Sequence, residues 1–242
     1  MAHRTLLSWL SLGTALFGAC EREVGEEDYA SLRERMVSKT IEGRGVKDPR
    51  VLRAMRAVRR HEFVPASNRR SAYVDDPLPI GWGQTISQPY IVAYMTEAVL
   101  PEPGDRCLEV GTGSGYQAAV LAELCGHVFS VEYLPELRTF AEHNLRSQGY
   151  GPERVELKEG DGYQGWREAA PFRVIVVTAA PHAVPEPLLE QLDVGGRLIA
   201  PVGPSLDTQQ LELWIRTRPG ADPGAFEVRP LLAVSFVPLL GH

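Results

Sequence analysis

The sequence predicts an α/β protein: a doubly wound, Rossmann-like sheet with helices before it and an antiparallel pair of strands at its C-terminal edge. Short apolar runs alternate with helical stretches between residues 106 and 201, which is typical of parallel sheets. A glycine-rich turn joins the first of these runs to a helix. Two further apolar segments, 209–215 and 226–237, are separated by a turn-rich stretch, as edge strands in antiparallel pairs are.

Composition excludes several classes of protein. The 242 residues carry 25 Lys and Arg against 31 Asp and Glu, a formal net charge of −6 without a basic stripe, so we expect no nucleic-acid partner. Three widely spaced cysteines and the absence of CxxC and HExxH patterns predict no metal site. No apolar run approaches the roughly 20 residues of a transmembrane helix. We expect a monomer.

The first 28 residues differ from the rest of the chain. His3 and Arg4 precede a mostly apolar stretch, 6–19, which ends at Cys20 and is followed by an acidic segment. This layout is that of an export signal, and residues 16–20 resemble the lipobox of bacterial lipoproteins. Residues 1–28 are therefore interpreted as a lipoprotein-type signal and acidic tether with a lipid anchor at Cys20. The alternative is that translation starts at Met36.

Residues 29–242 are predicted to form one domain whose first part, 29–103, is helical and carries a loop. Helical periodicity runs from 29 to 57 and is interrupted at 43–48, where Asp48 is placed as an N-cap before Pro49. The second helix is expected over 50–59. Residues 75–89 contain too many turn formers for a helix and too little alternation for a strand, so we predict an ordered loop there.

The remaining elements follow in alternation. Strands are predicted at 106–110, 127–131, 155–159, 172–178 and 197–201, and helices at 116–124, 134–148 and 187–192. Cys107 opens the first of these strands and Cys125 closes the next helix, which brings both to one end of the sheet. We expect two buried free thiols; a disulfide is the alternative if the chain is exported.

The glycine turn indicates a ligand. Gly111, Gly113 and Gly115 lie between a strand and a helix, where the missing Cβ atoms let the backbone approach a bound molecule. Glu132, 21 residues after Gly111, ends the second strand and is placed to accept hydrogen bonds from ribose hydroxyls. An adenosine-containing ligand is therefore predicted.

The surrounding residues favour S-adenosylmethionine over a dinucleotide. Glu109 lies two residues before the first glycine, where its charge would repel a pyrophosphate but suits an ammonium and a sulfonium. The spacing is also GxGxG and not GxGxxG. Asp161, within Gly160-Asp161-Gly162, follows the third strand and could bind the adenine amino group. The alternatives are a dehydrogenase and a tight turn without any ligand.

Several segments resemble the protein-L-isoaspartate O-methyltransferase family. The most specific is 78–89 (LPIGWGQTISQP), and further matches are 108–117 (LEVGTGSGYQ), 160–162 (GDG), 177–181 (VTAAP) and 236–239 (FVPL). The resemblance covers residues 36–239. One departure is Ser235, which stands where many bacterial members have arginine.

The resemblance implies an enzyme that transfers a methyl group from S-adenosylmethionine to the free carboxylate of L-isoaspartyl residues in damaged proteins and peptides, and so starts repair through a succinimide. It also implies a cytoplasmic enzyme, and it makes Ser87 the active-site serine, with Thr85 in the same loop. The predicted cofactor-binding residues are Glu109, Gly111, Thr112, Gly113, Gly115, Glu132, Asp161 and Gly162.

Other functions stay open on the sequence alone. The fold could serve a methyltransferase with another carboxylate acceptor, or an inactive binding protein tethered to the cell envelope. By residue type, Ser87 could also be an ordinary turn serine before Gln88 and Pro89.

Overall fold

The structure, a computed structural model, describes residues 25–204 and 208–241. The predicted signal, Cys20 and the first half of the predicted tether, 21–24, lie outside these residues. The last three residues of that tether, 26–28, instead form the first turn of a helix, which carries three acidic side chains at its positive end. Within the described ranges, no helix is both long and apolar enough to cross a membrane.

The N-terminal part is helical, as predicted. Helix α1 (Glu26–Arg35) continues into a π-helical turn over Met36–Ile41 and a short 3-10 turn that ends at Gly45, where φ is +104°. Helix α2 (Pro49–Ala57) follows, and the Asp48 side chain accepts a hydrogen bond from the Arg50 backbone N–H at 2.8 Å. The predicted N-cap is confirmed.

A β-hairpin occupies the segment that we predicted to be a loop, so that prediction is wrong. Strands β1 (Leu78–Gly81) and β2 (Gln84–Ile86) pair antiparallel. Gly81, Trp82 and Gly83 all have positive φ, at 100°, 51° and 72°, and reverse the chain between them. The strands are too short for a period-2 pattern to stand out.

Helix α3 (Pro89–Val99) comes directly after the hairpin and had no counterpart in the sequence prediction. Most of its side chains are buried on several sides, as Tyr90, Ile91, Val92 and Met95 show. A helix that is apolar nearly all round lacks the one-sided stripe by which amphipathic helices are recognised.

One seven-stranded sheet forms the centre of the fold, with strand order β5-β4-β3-β6-β7-β8-β9. Strands β3 to β7 pair parallel, and β8 and β9 add antiparallel at one edge. The strands are β3 (Arg106–Val110), β4 (His127–Glu132), β5 (Val155–Glu159), β6 (Phe172–Val177), β7 (Leu192–Val202), β8 (Gln209–Arg216) and β9 (Phe226–Val234). The connecting helices are α4 (Tyr116–Ala122), α5 (Pro135–Ser147) and α6 (Glu186–Gln191).

The two faces of the sheet bury separate cores. One face packs against the N-terminal helices, α3, α4 and α5. The other packs against α6 and the segment around Trp166 and Ala169. Consecutive residues of β3 therefore alternate between two buried environments. The predicted doubly wound fold class is confirmed.

The two edge strands carry charge or proline. Strand β9 exposes Glu227, Arg229 and Pro230 along its first half. Strand β5, at the opposite edge, carries Glu156, Lys158 and Glu159.

Cys107 and Cys125 form a disulfide, so the expectation of free thiols is wrong. The parallel β3–α4–β4 unit returns the chain to the end of the sheet where β3 begins, and the two Cα atoms lie 6.3 Å apart. That separation is within the range that a disulfide spans. The bond joins residues 18 apart in sequence, and the loop that it closes contains the whole glycine turn.

We predict that reduction of this bond destabilises the protein. Opening a loop of this size removes about 3 kcal/mol of stabilisation of the folded state in the chain-entropy description. Urea unfolding of the Cys20→Ser protein, with and without a thiol-free reductant, measures the difference. The variant that also carries Cys125→Ser is the control and should not respond to reductant. Equal midpoints for the oxidised and reduced parent would contradict the prediction.

Candidate active site

A cleft opens where the carboxyl ends of β3, β4 and β6 meet. At this edge of a parallel sheet, the connections after neighbouring strands run in opposite directions. The space between them can hold a ligand. The glycine turn, the strand ends, the hairpin and the C-terminal segment all contribute to it, through residues that include Thr85, Ser87, Glu109, Gly111, Thr112, Gly113, Glu132, Tyr133, Gly162, Thr178, Val237 and Leu239.

Close contacts hold the glycine turn in place. Gly111 has φ of +94°, and a Cβ there would lie 2.7 Å from Thr178 Oγ1. The Thr178 hydroxyl donates to the Gly111 carbonyl at 2.6 Å, and the Gly111 N–H donates to Val131 O at 2.9 Å. The turn is therefore fixed by both strands that flank β3, and a side chain at Gly111 would displace it.

Glu132 lies at the end of β4, as predicted, and is buried. Its Oε2 accepts from the Gly113 N–H at 2.8 Å, and its Oε1 accepts from the Leu134 N–H at 3.0 Å. These bonds orient the carboxylate across the mouth of the glycine turn. Each oxygen keeps a lone pair with which to accept a hydrogen bond from a ligand hydroxyl.

Glu109 is fully buried at the floor of the cleft. Ser130 Oγ donates to Glu109 Oε2, and the Thr112 and Ser130 hydroxyl oxygens lie 2.6 Å apart. Burial raises the pKa of Glu109 to about 8, with a further contribution from the charge of Glu132, while the bond from Ser130 opposes the shift.

The second oxygen of Glu109 identifies the kind of ligand that fits. Among the described residues, Oε1 is buried without a hydrogen-bond partner. A buried carboxylate with a free oxygen is costly unless a donor reaches it, and a cationic donor offsets most of the cost. The ammonium group of S-adenosylmethionine is such a donor, whereas a pyrophosphate would add a second negative charge.

Two predicted cofactor residues do not line the cleft. Gly115 has φ of +87° and begins α4, and a Cβ there would lie 3.0 Å from Leu145 Cγ, so it permits close packing of α4 against α5. Asp161 accepts from the Tyr163 N–H at 2.9 Å and lies against Gly241 near the C-terminus. Its neighbour Gly162 does line the cleft. The cofactor roles of Gly115 and Asp161 stay predictions.

A second cavity adjoins the cleft, and we call it the acceptor groove. It runs between the hairpin, α3 and β9, and its walls include Arg44, Gln88, Ile91 and residues 232–236. Thr85, Ser87, Thr178 and Val237 line both cavities. The structure thus brings both predicted catalytic hydroxyls to the boundary between the cleft and the groove.

The C-terminal segment completes the cleft and was missed as part of the site. The Ala180 N–H donates to Val237 O at 2.8 Å, and the Leu239 N–H donates to Ala180 O at 2.9 Å. This pairing lays residues 237–240 across the end of β6. Thr178 and Tyr133 were also missed, although each immediately follows a parallel strand next to β3, a position that could have identified them.

This fold and cleft define the class of S-adenosylmethionine-dependent methyltransferases with a Rossmann-like sheet. The model of the Protein-L-isoaspartate(D-aspartate) O-methyltransferase family matches residues 31–242, and the chain belongs to that family.

Individual relatives agree with this assignment. A protein-L-isoaspartate O-methyltransferase of Picosynechococcus sp. is 53% identical over 88% of this chain and 91% of its own length. One of Opitutus terrae is 50% identical over 98% of this chain and 97% of its own length. Among solved structures, a protein-L-isoaspartate O-methyltransferase has a TM-score of 0.75 at 32% identity, over 86% of this chain and 66% of that one.

A further solved structure carries a ligand related to the cofactor. It is a Plasmodium falciparum protein described as a putative protein-L-isoaspartate O-methyltransferase in complex with S-adenosyl-L-homocysteine. It has a TM-score of 0.72 at 26% identity, over 88% of this chain and 98% of that chain.

We predict that cofactor binding releases a proton from Glu109. Because the pKa of Glu109 is raised to about 8, its carboxyl group is protonated in the free protein at a pH of about 6.5. An ammonium group bound beside Oε1 lowers that pKa. Binding of S-adenosylhomocysteine should then release close to one proton at that pH, and the release should vanish above the pKa.

Calorimetry in buffers of different protonation enthalpy measures this release. Glu109→Gln should abolish it, whereas Glu123→Gln, outside the cleft, should leave it unchanged. A binding enthalpy of the parent protein that does not depend on the buffer would place the ammonium elsewhere.

Proposed function

We propose that this protein transfers the methyl group of S-adenosylmethionine to the free carboxylate of L-isoaspartyl residues in damaged proteins and peptides. The position of Ser87 and Thr85 at the boundary between the cleft and the acceptor groove carries the proposal. Membership of the family supports it. The peptide acceptor then lies in the groove with its carboxylate directed at the boundary.

Alignment is the main task of the protein in this reaction. S-Adenosylmethionine supplies a methyl group on a sulfonium, and the acceptor carboxylate is already ionised at neutral pH, so no strong general base is required. The Ser87 and Thr85 hydroxyls donate hydrogen bonds to the carboxylate and orient one oxygen toward the methyl group. Holding two reactants in line in this way lowers the entropic part of the barrier.

The base of the hairpin holds Ser87 in position. The Gln88 side chain donates from Nε2 to the Asp75 carbonyl and to Asp75 Oδ2, both at 2.8 Å. At the other strand, Asn68 Nδ2 donates to Pro79 O at 2.7 Å. The hairpin is thus fixed at both strands. After methyl transfer, the backbone nitrogen that follows the damaged residue attacks the methyl ester and expels methanol, which gives the succinimide without further help from the protein.

The test is transfer of radiolabelled methyl groups to an isoaspartyl peptide and to its normal aspartyl twin. We expect the isoaspartyl peptide alone to be labelled. Ser87→Ala should lower turnover by about 10- to 100-fold because the acceptor is less well aligned, and should leave the affinity for S-adenosylhomocysteine unchanged. Ser147→Ala, on the outer face of α5, is the matched control and should behave as the parent.

Two outcomes would count against this function. If folded protein binds S-adenosylhomocysteine and labels neither peptide, the acceptor is a different carboxylate or the chain is a binding protein. If Ser87→Ala loses ligand binding together with turnover, Ser87 supports the structure of the site and is not the group that aligns the acceptor.

We also propose that the protein works outside the reducing cytoplasm, although the family resemblance predicts a cytoplasmic enzyme. The Cys107–Cys125 disulfide supports export, because disulfides persist in oxidising compartments. The lipid anchor at Cys20 stays a prediction, as does the monomeric state.

Labelling with a fatty-acid analogue in a bacterial host tests the compartment. We expect labelled protein in the envelope fraction with Cys107 and Cys125 oxidised, and no label on the Cys20→Ser variant. Unlabelled protein in the cytoplasmic fraction, with both thiols reduced, would instead support the cytoplasmic prediction.

A further inference from the structure

The acceptor groove has an unequal distribution of charge. Of the described residues that line it, Arg44 alone is charged; the others are apolar or neutral polar. Ser235, which also lines the groove, contributes a neutral hydroxyl. The Arg44 side chain is 47% exposed. A partly exposed arginine in a groove proposed to hold a peptide can affect which peptide sequences the protein prefers.

The guanidinium of Arg44 is held in one orientation. Nη1 donates to Asp75 Oδ2 at 2.6 Å, and Cζ lies 3.6 Å from the centroid of the Tyr90 ring. A guanidinium stacked on an aromatic face keeps its remaining N–H donors in the plane of its edge. Arg44 is therefore placed before any peptide arrives.

Asp75 offsets only part of the charge that Arg44 presents to the groove, because it is the less exposed partner of the pair. Its Oδ1 accepts from the Tyr90 N–H at 2.9 Å, and its Oδ2 accepts from Gln88 as well as from Arg44. The side chain is only 19% exposed, and it is not among the residues that line the groove. The negative partner is thus mostly buried and hydrogen-bonded to Tyr90 and Gln88, while the more exposed Arg44 lines the groove.

Arg44 also lies away from the reacting atoms. The residues shared by the cleft and the groove are Thr85, Ser87, Thr178 and Val237. Arg44 lines the groove and does not line the cleft. The carboxylate that receives the methyl group has to lie at the shared boundary. Arg44 therefore faces a neighbouring part of the same peptide.

On the basis of the proposed function, we propose that Arg44 is a specificity-determining residue that favours isoaspartyl sites with an acidic side chain close by in sequence. The chemistry is a charge-assisted hydrogen bond between the guanidinium edge and an Asp or Glu carboxylate of the substrate. Because Arg44 is partly exposed, the preference should be about two- to fivefold in kcat/KM and should weaken with salt.

The experiment compares three isoaspartyl peptides that differ only in one flanking residue, Glu, Gln or Lys. At low ionic strength we expect kcat/KM to be highest for the Glu peptide, lower for Gln and lowest for Lys. The three values should converge at about 0.5 M salt, where the screening length is only about 4 Å. Arg44→Gln should remove the order, and Arg44→Lys should keep most of it. Arg218→Gln, which breaks another partly exposed arginine–aspartate pair, is the matched control and should behave as the parent.

Each result decides the question. Equal rates for all three peptides with the parent protein, or an order that survives in Arg44→Gln, would overturn the role of Arg44 while leaving the methyl transfer established. A uniform loss with every peptide in Arg44→Gln would mean that Arg44 only supports Asp75 and the hairpin. If none of the peptides is methylated by the parent, the proposed function itself fails.

Folding of the variant has its own control. Binding of S-adenosylhomocysteine shows that Arg44→Gln is folded, because Arg44 does not line the cleft. If the variant does not fold because Asp75 is left unpaired, the double variant Arg44→Gln, Asp75→Asn removes both charges. In that background the order of the three peptides should also disappear.

Discussion

The site depends on the parallel pairing of β3 with a strand on each side. The register places Glu109 opposite Ser130 of β4 and Val110 opposite Val177 of β6, so the ends of the three strands lie at one level. The chain has to leave β3 between its neighbours, and the space there admits no Cβ at Gly111. Glu109, Glu132 and Thr178 converge because of this pairing, although they are far apart in sequence.

The same pairing buries a carboxyl group whose ionisation is unfavourable in the free protein. Glu109 points into the core on the side of α4, and ionising it there costs free energy that an alanine or a leucine would not require. Ser130, whose own hydroxyl pairs with that of Thr112, donates to one oxygen of Glu109, and the other oxygen has no hydrogen-bond partner among the described residues. A buried carboxyl group with a raised pKa and an oxygen that suits a cationic ligand is typical of a binding site and not of a structural core.

Much of this was predictable from the sequence. Strands β3 and β5 have the predicted bounds, Arg106–Val110 and Val155–Glu159, because short runs between clear turn signals leave little choice of register. The glycine turn was also predictable, since the strand before it and the helix after it are both well marked.

The remainder depends on contacts that are distant in sequence. The hairpin consists of strands of three and four residues, stabilised by Gln88, Asp75 and Asn68 and by a turn in which even Trp82 adopts positive φ. Helix α3 has too little polarity to show a pattern. Residues 237–240 enter the cleft through pairing with Ala180, more than fifty positions earlier in the sequence, which local propensity cannot indicate.

The composition of the two edge strands affects how this protein associates with unfolded chains. Damaged and ageing proteins often expose unpaired backbone, and a long apolar edge strand would capture them by adding them to the sheet. Pro230 interrupts backbone pairing along β9, and the charges of β5 and β9 discourage a neutral strand from docking. The proposed substrates include partly unfolded chains. Such chains can thus bind in the groove without adding to the edge strands and aggregating there.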